Sequence, residues 1–291
     1  MRIIILILML SCCNLTSWAQ NKPTDIMESE RFKKGWQKLM EVDGALGEKV
    51  INGLKDVSPD LGKYIIEYSF GDIYSREALG LKSKEIAVVA ALTAMGNAAP
   101  QLQVHLNGAL NTGSSINELK EVILQMSVYS GFPSCINAMN MLKEVLAERR
   151  TQGVIDSIGE TATNISSDRL ELGKKVLSSI DNSIVDKLKN AYDDISPELT
   201  QFVMEYAYAD IFSRKNLDRK FRQIATIAAL TALGNAASQL KFHINAGLNI
   251  GLTVEEVKEI MLLMTVYAGF PAAINGTNSL KEVVEERVAN K

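Results

Sequence analysis

Two histidines are the only imidazoles in this chain of 291 residues, and they stand 138 positions apart: His105 in "QVHLNGALNTGSS" and His243 in "KFHINAGLNIGLT". Each is set into an apolar stretch with helical spacing, which leaves two roles open. One is a half-buried helical residue bonded to backbone or to a nearby amide, with Asn107, Asn111, Asn245 and Asn249 in reach along the helix. The other is a general acid or base facing a pocket, since an ordinary histidine pKa near 6.5 serves proton transfer in either direction. No second His or Cys lies at ligand spacing in either stretch, so no metal centre is expected.

Arg76 and Arg214 close the segments "GDIYSR" and "ADIFSR". Each either pairs at i, i+4 with Asp72 or Asp210 on a helix surface, or offers its planar fork to a substrate carboxylate. Tyr129 and Tyr267 precede Gly131 and Gly269 at the ends of apolar helices. They read as core residues whose hydroxyls are free to donate to a ligand oxygen. Cys135 answers to Ala273 under the same offset, so a thiol is not needed at both positions and packing is its expected role.

The elements that must carry these residues come from a duplication. With an offset of 138 residues, "SPDLGKYIIEYSFGDIYSREALGLKSKEIAVVAALTAMGNAAPQLQVH" aligns without a gap on "SPELTQFVMEYAYADIFSRKNLDRKFRQIATIAALTALGNAASQLKFH". The match continues through "GFPSCIN" and "GFPAAIN", and runs back to Arg31 and Gly35 opposite Arg169 and Gly173. A period this long means two tandem domains rather than a solenoid. They are placed at 28–150 and 167–291, joined by the polar, weakly patterned stretch 151–166.

Apolar positions recur at three- and four-residue steps and no strand pair is evident, so the fold class is all-α, with six helices in each copy. Ser58-Pro59 and Ser196-Pro197 mark helix starts, Gly96 and Gly234 mark helix stops, and Ser115 with Glu118 and Thr253 with Glu256 read as capping boxes. Pro133 and Pro271 open the last helix of each copy.

Lys and Arg together number 31 against 34 Asp and Glu, with no long basic run, so nucleic acid is not an expected partner. The opening "MRIIILILML" is one arginine and an apolar run too short to span a bilayer, which reads as an export signal. Ser17-Trp18-Ala19 suggests cleavage before Gln20 and a periplasmic or secreted protein. "LSCC" leaves a lipid anchor on Cys12 or Cys13 as the alternative. After cleavage at Ala19, Cys135 is the sole cysteine and has no partner for an internal disulfide.

The run from "EYAYADIFSRKNLD" through "LKFHINAGLNIGLTVEEVKEIM" to "VYAGFPAAIN" resembles the carboxymuconolactone decarboxylase family, in the branch close to gamma-carboxymuconolactone decarboxylase. Copy two is the closer match and copy one follows it. The resemblance implies a helical fold shared with alkyl hydroperoxidase D proteins and rings of six domains, so a two-domain chain is expected to form a homotrimer. That related group carries a Cys-x-x-Cys ending four residues before the histidine. Here those positions are Ala98 and Gln101, and Ala236 and Gln239, so thiol peroxidase chemistry is not expected to transfer. The chain departs from the decarboxylase pattern at Phe70 and Tyr74, at Tyr208, Ala209 and Phe212, and at Lys84, the copy-one counterpart of Arg222.

The resemblance implies a reaction: loss of CO2 from a small carboxylated lactone, with the electrons delocalised into the lactone carbonyl and a proton then added on carbon. The substrate is its own electron sink, so no cofactor is expected. Arg76 or Arg214 would hold a retained carboxylate, Tyr129 or Tyr267 would donate to the enolate oxygen, and His105 or His243 would move the proton. The alternative is a ligand-binding or assembly protein that kept the fold without the chemistry.

Overall fold

The computed structural model describes residues 29–163 and 167–290. The expected export segment, with Cys12 and Cys13, lies outside them. The described residues are helical, with no strand among them. Copy one comprises α1 (Glu30–Val42), α2 (Gly44–Leu54), α3 (Pro59–Tyr64), α4 (Leu81–Met95), α5 (Ala99–Asn111), α6 (Ile116–Gln125) and α7 (Ser127–Thr151). Copy two repeats the order as α8 (Arg169–Ser178), α9 (Ile184–Tyr192), α10 (Pro197–Phe202), α11 (Arg219–Leu233), α12 (Ala237–Asn249), α13 (Val254–Tyr267) and α14 (Phe270–Ala289). Each copy thus has one helix more than the sequence suggests, because the stretch before Ser58 or Ser196 is broken, at Asp43 in copy one and at 179–183 in copy two.

The third helix of each copy continues without interruption as a wider π-helix, Ile65–Tyr74 and Val203–Phe212. Gly35 and Gly173 explain how the first helix lies so close to it. A Cβ on either would stand 2.0 Å from the carbonyl oxygen of Ile66 or Met204. The crossing is tied outside by Arg31 to Asp72 and by Arg169 to Asp210. The two aspartates therefore do not pair with Arg76 and Arg214, as the i, i+4 reading had them.

Most helix ends follow the sequence signals. Both capping boxes form, and Gly96 and Gly234 close α4 and α11 with φ of +67°. Pro59 and Pro197 do sit in the first turn, but the side chains of Ser58 and Ser196 make no capping hydrogen bond. The linker is tied down over 156–158: Ile116 and Asn117 at the start of α6 donate to the carbonyls of Ser157 and Ile158, and Arg149 grips Asp156.

Helices α4 and α11 pack against each other at the centre, and most of their residues are buried. One hydrophobic core runs through both copies as a result, from Leu39 and Val42 to Leu280 and Val283. Contacts across the centre come in reciprocal pairs: Tyr68 with Thr265 and Tyr206 with Ser127, both at 2.6 Å. The chain thus behaves like a two-fold dimer written as one polypeptide.

Candidate functional site

The Tyr-x-Gly sequences carry chemistry from one copy to the other. Gly131 and Gly269 adopt φ of +79° and +85° with extended ψ, a conformation open to glycine. The chain reverses there between two helical stretches, and the tyrosine just before it enters the opposite copy. Tyr267 meets His105 edge to face at 4.8 Å, and Tyr129 meets His243 in the same way at 5.6 Å. Each histidine also lines a cavity in its own copy, and the other copy's Tyr267 or Tyr129 completes the wall.

The copy-one cavity has a volume of about 260 Å³. His105 and Asp43 line it together with Ser69, Gln101 and Tyr267. Behind them Glu85, fully buried on α4, accepts from Tyr74 Oη at 2.6 Å and from His105 Nδ1 at 3.1 Å. Tyr74 Oη is 2.8 Å from Tyr267 Oη. Because the Tyr74 proton is committed to Glu85, Tyr267 donates to Tyr74, and its hydroxyl proton is not directed at the cavity.

Burial alone would depress His105, but the charge and hydrogen bond of Glu85, with Asp43 adding, outweigh it and hold the imidazole above its ordinary pKa. Burial raises the Asp43 carboxyl to about 7, with Glu85 adding to the rise and His105 opposing it. Its Oδ1 is buried without a hydrogen-bond partner. Asp43, Glu85 and His105 bring ligand atoms within 4.8 Å of one another, the grouping among the described residues that could accommodate a metal ion. The bonds that Glu85 already accepts from Tyr74 and His105 suit a set of groups sharing protons.

The copy-two cavity is larger, about 410 Å³, and its chemistry differs. Gln223 replaces Glu85 and accepts from His243 Nδ1 at 3.0 Å. This tautomer makes His243 Nε2 an acceptor, and Tyr129 Oη donates to it at 3.1 Å. Burial lowers His243 to about 3, so the ring is neutral at physiological pH. Phe212 stands where copy one has Tyr74. Asp181, the counterpart of Asp43, is turned onto the backbone N–H and hydroxyl of Ser183 at 2.9 and 2.8 Å. Copy one has Ala45 at that position, and Gly44 with φ of +55° lets its chain turn at once into α2.

One further exchange completes the pattern. A Cβ on Gly108 would lie 2.7 Å from Glu85 Oε2 and 3.0 Å from Asp43 Oδ1, so the copy-one acids need a glycine there. Copy two has Ala246.

Arg76 and Arg214 line neither cavity. Each is spent on a buried carboxylate of the other copy: Arg76 Nε lies 2.8 and 2.9 Å from the Glu259 oxygens, and Arg214 Nη2 is 2.7 Å from Glu121. Arg222 reaches the same Glu121 at 3.0 Å, while Lys84 instead binds the carbonyls that end the π-helix, Tyr74 at 2.9 Å among them. The asparagines near the histidines do not bond to them either. Asn107 and Asn111 accept from Arg149, and Asn245 and Asn249 accept from Arg287. Cys135 is buried, donates to the Ile123 carbonyl, and is pushed up to about 11 by burial.

Sequence reasoning missed Asp43, Glu85 and Tyr74. Metal and acid–base spacing is legible along a single helix, whereas these three residues lie on three different elements. The available signal was the unequal pair Glu85 and Gln223, within helices otherwise closely matched.

The sequence profile of the Carboxymuconolactone decarboxylase family matches residues 59–144 and 197–282. Among curated relatives, 4-carboxymuconolactone decarboxylase of Acinetobacter baylyi is 34% identical over 125 residues, which cover 42% of this chain and 90% of that one. The nitrosuccinic acid decarboxylase of Metarhizium robertsii is 27% identical over 132 residues, covering 44% of this chain and 90% of the relative. A crystal structure from Burkholderia xenovorans LB400, described as a gamma-carboxymuconolactone decarboxylase subunit, superposes with a TM-score of 0.53 at 18% identity over 90% of this chain and 99% of its own. With both repeats matched and the helical fold shared, the chain belongs to the carboxymuconolactone decarboxylase family.

Proposed function

We propose that the copy-one pocket is a decarboxylase site that works without a cofactor on a small unsaturated lactone, or a related acid, bearing the carboxylate that is lost. The observation that carries this reading is the buried set Asp43, Glu85 and His105, with Asp43 and His105 on the wall of an otherwise mostly apolar cavity and Glu85 directly behind them. The C–CO2 bond breaks, its electron pair passes through the adjacent double bond into the lactone carbonyl, and the dienolate takes a proton on carbon. One proton is drawn from water for each CO2 released.

His105, whose protonated form Glu85 favours, donates toward the enolate oxygen or carbon, and Asp43, with a carboxyl pKa about 7, supplies the second exchangeable proton. No Arg or Lys lines the cavity. A substrate with a single carboxylate suits it better than a dicarboxylate, because the cavity offers no Arg or Lys to pair with a second carboxylate that is retained.

The test is to incubate the purified chain with 4-carboxymuconolactone and with unsaturated lactones that carry only the departing carboxylate. CO2 release should be faster from the second group. Release from none of them would end the proposal, and a clear preference for the dicarboxylate would remove its account of specificity.

The same family reading supports a homotrimer. Large apolar side chains are exposed at matching positions of the two copies, Tyr64 and Phe202, Phe132 and Phe270, Ile136 and Ile274. A repeated apolar belt suits a closed ring of further copies. Light scattering should give three chains per particle, and a stable monomer at micromolar concentration would exclude the ring.

A further inference from the structure

We propose that the copy-two cavity is a binding site for an uncharged, ring-containing molecule with a hydroxyl group, and is not a second reaction chamber. The proposal stands apart from the chemistry assigned to copy one. The space of about 410 Å³ falls within the usual range of small-molecule sites. Its walls are apolar, the rings of Tyr192, Tyr208, Phe212 and Phe242 alternating with aliphatic side chains around His243, and no Asp, Glu, Lys or Arg lines it.

Ser238 and Gln239 line the cavity from exposed positions, and the buried polar groups are few and already oriented. Gln223 accepts from His243, and His243 accepts from Tyr129, so the Tyr129 proton is committed; its oxygen, which Thr226 Oγ1 approaches at 3.4 Å, keeps a further lone pair for a donor. A ligand hydroxyl can donate to that oxygen. Thr200 lines the same cavity, is 2% exposed, and its hydroxyl has no hydrogen-bond partner. Copy one has Gly62 at the equivalent position, so this polar group belongs to the copy that lacks the ionisable ones. The Tyr208 hydroxyl is a second donor, in place of Phe70.

A carboxylate brought into this space would find no cation, and His243 stays neutral beside it. Desolvating an unpaired charge is strongly unfavourable, whereas a neutral hydroxyl needs only one or two hydrogen bonds. Selection therefore runs opposite to what a decarboxylase substrate needs.

The experiment is calorimetric titration, with ligand-observed NMR, of the full chain with two matched pairs of probes: phenol and benzoate, 2-naphthol and 2-naphthoate. Saturable binding of the neutral member of each pair is expected at one site per chain, with the anion at least roughly tenfold weaker for want of a partner charge. Thr200→Val and Tyr208→Phe should each weaken the neutral probe several-fold, and Ala207→Leu should exclude it by filling the cavity. His105→Asn should leave it unchanged. Thermal unfolding of each variant confirms that it is folded, and the two near-isosteric changes keep the test valid if Ala207→Leu is not. Equal binding of acid and phenol overturns the proposal, as does the absence of saturation at millimolar phenol and naphthol. Binding that survives Thr200→Val and Tyr208→Phe, or that is lost in His105→Asn, overturns it as well. None of these outcomes depends on whether CO2 is ever released.

Discussion

The two pockets share a backbone and a histidine, yet they differ at every group that could hold a charge beside that histidine. Copy one has Glu85, Tyr74, an inward Asp43 and the glycine at 108 that makes room for the acids; copy two has Gln223, Phe212, an outward Asp181 and Ala246. The exchanges support one another, since a carboxylate without its hydroxyl donor or its space would be left buried and unsatisfied. The lesson is that the imidazole alone decides little. A histidine held above its ordinary pKa and one pushed down to about 3 occupy the same helix position, and the residue opposite sets which it is.

Breaking the comparison at the histidines should give the largest effect. His105→Asn should lower CO2 release by about 10²–10⁴, the range for loss of a general acid or base, while His243→Asn should leave it within about twofold. Equal losses in both variants would mean two working pockets. In the intact protein, release should also decline as pH rises through about 7, where Asp43 gives up its proton.

Sharpening the comparison means rebuilding one pocket inside the other. The triple variant Gln223→Glu, Phe212→Tyr and Ala246→Gly places an acid, its donor and the required space beside His243. Its pKa, followed by NMR titration, should rise by at least about two units, close to 3 kcal/mol of differential interaction. A ring that still titrates near 3 would show that depth, and not the facing residue, controls it.

A further effect concerns stability. The folded pKa of His243 lies below its unfolded value of about 6.5, so folded chains bind fewer protons there. The stabilisation is complete above about pH 6.5 and is lost as pH falls toward 3. His243→Gln should make the unfolding temperature less sensitive to acid in that window, measured by calorimetry between neutral pH and pH 4. The smallest change is expected for Cys135→Ala, which imitates copy two at Ala273. It should cost about 1 kcal/mol in denaturant unfolding and leave CO2 release intact, as the role of a packed thiol demands.

Much of the fold was legible because its signals are local. Ser115 with Glu118, Thr253 with Glu256, and the glycines after α4 and α11 each state a helix end within four residues. The duplication made the alignment of the copies self-checking. The site was legible only in part. His105, His243, Tyr129 and Tyr267 could be named, and the fold does bring each histidine to a tyrosine. Which tyrosine meets which histidine depends on the two copies crossing, and no spacing rule reports that. Arg76 and Arg214 were given a carboxylate to hold, and each does hold one, but it belongs to the protein: Glu259 and Glu121.

The crossing of the tyrosines also bears on how such a chain can change over generations. A single-copy relative that assembles from identical subunits alters all of its pockets with any one substitution. Here the histidine and the tyrosine of each pocket are inherited in separate halves of one gene, so either pocket can drift while the other is held fixed. The same arrangement forbids a clean division of labour by truncation. A fragment ending before residue 164 would carry Asp43, Glu85 and His105 but not Tyr267, and it would lose α11 from its core. It could complete itself only by pairing with a second fragment and borrowing Tyr129 in place of Tyr267, which would restore the symmetry that the duplication left behind.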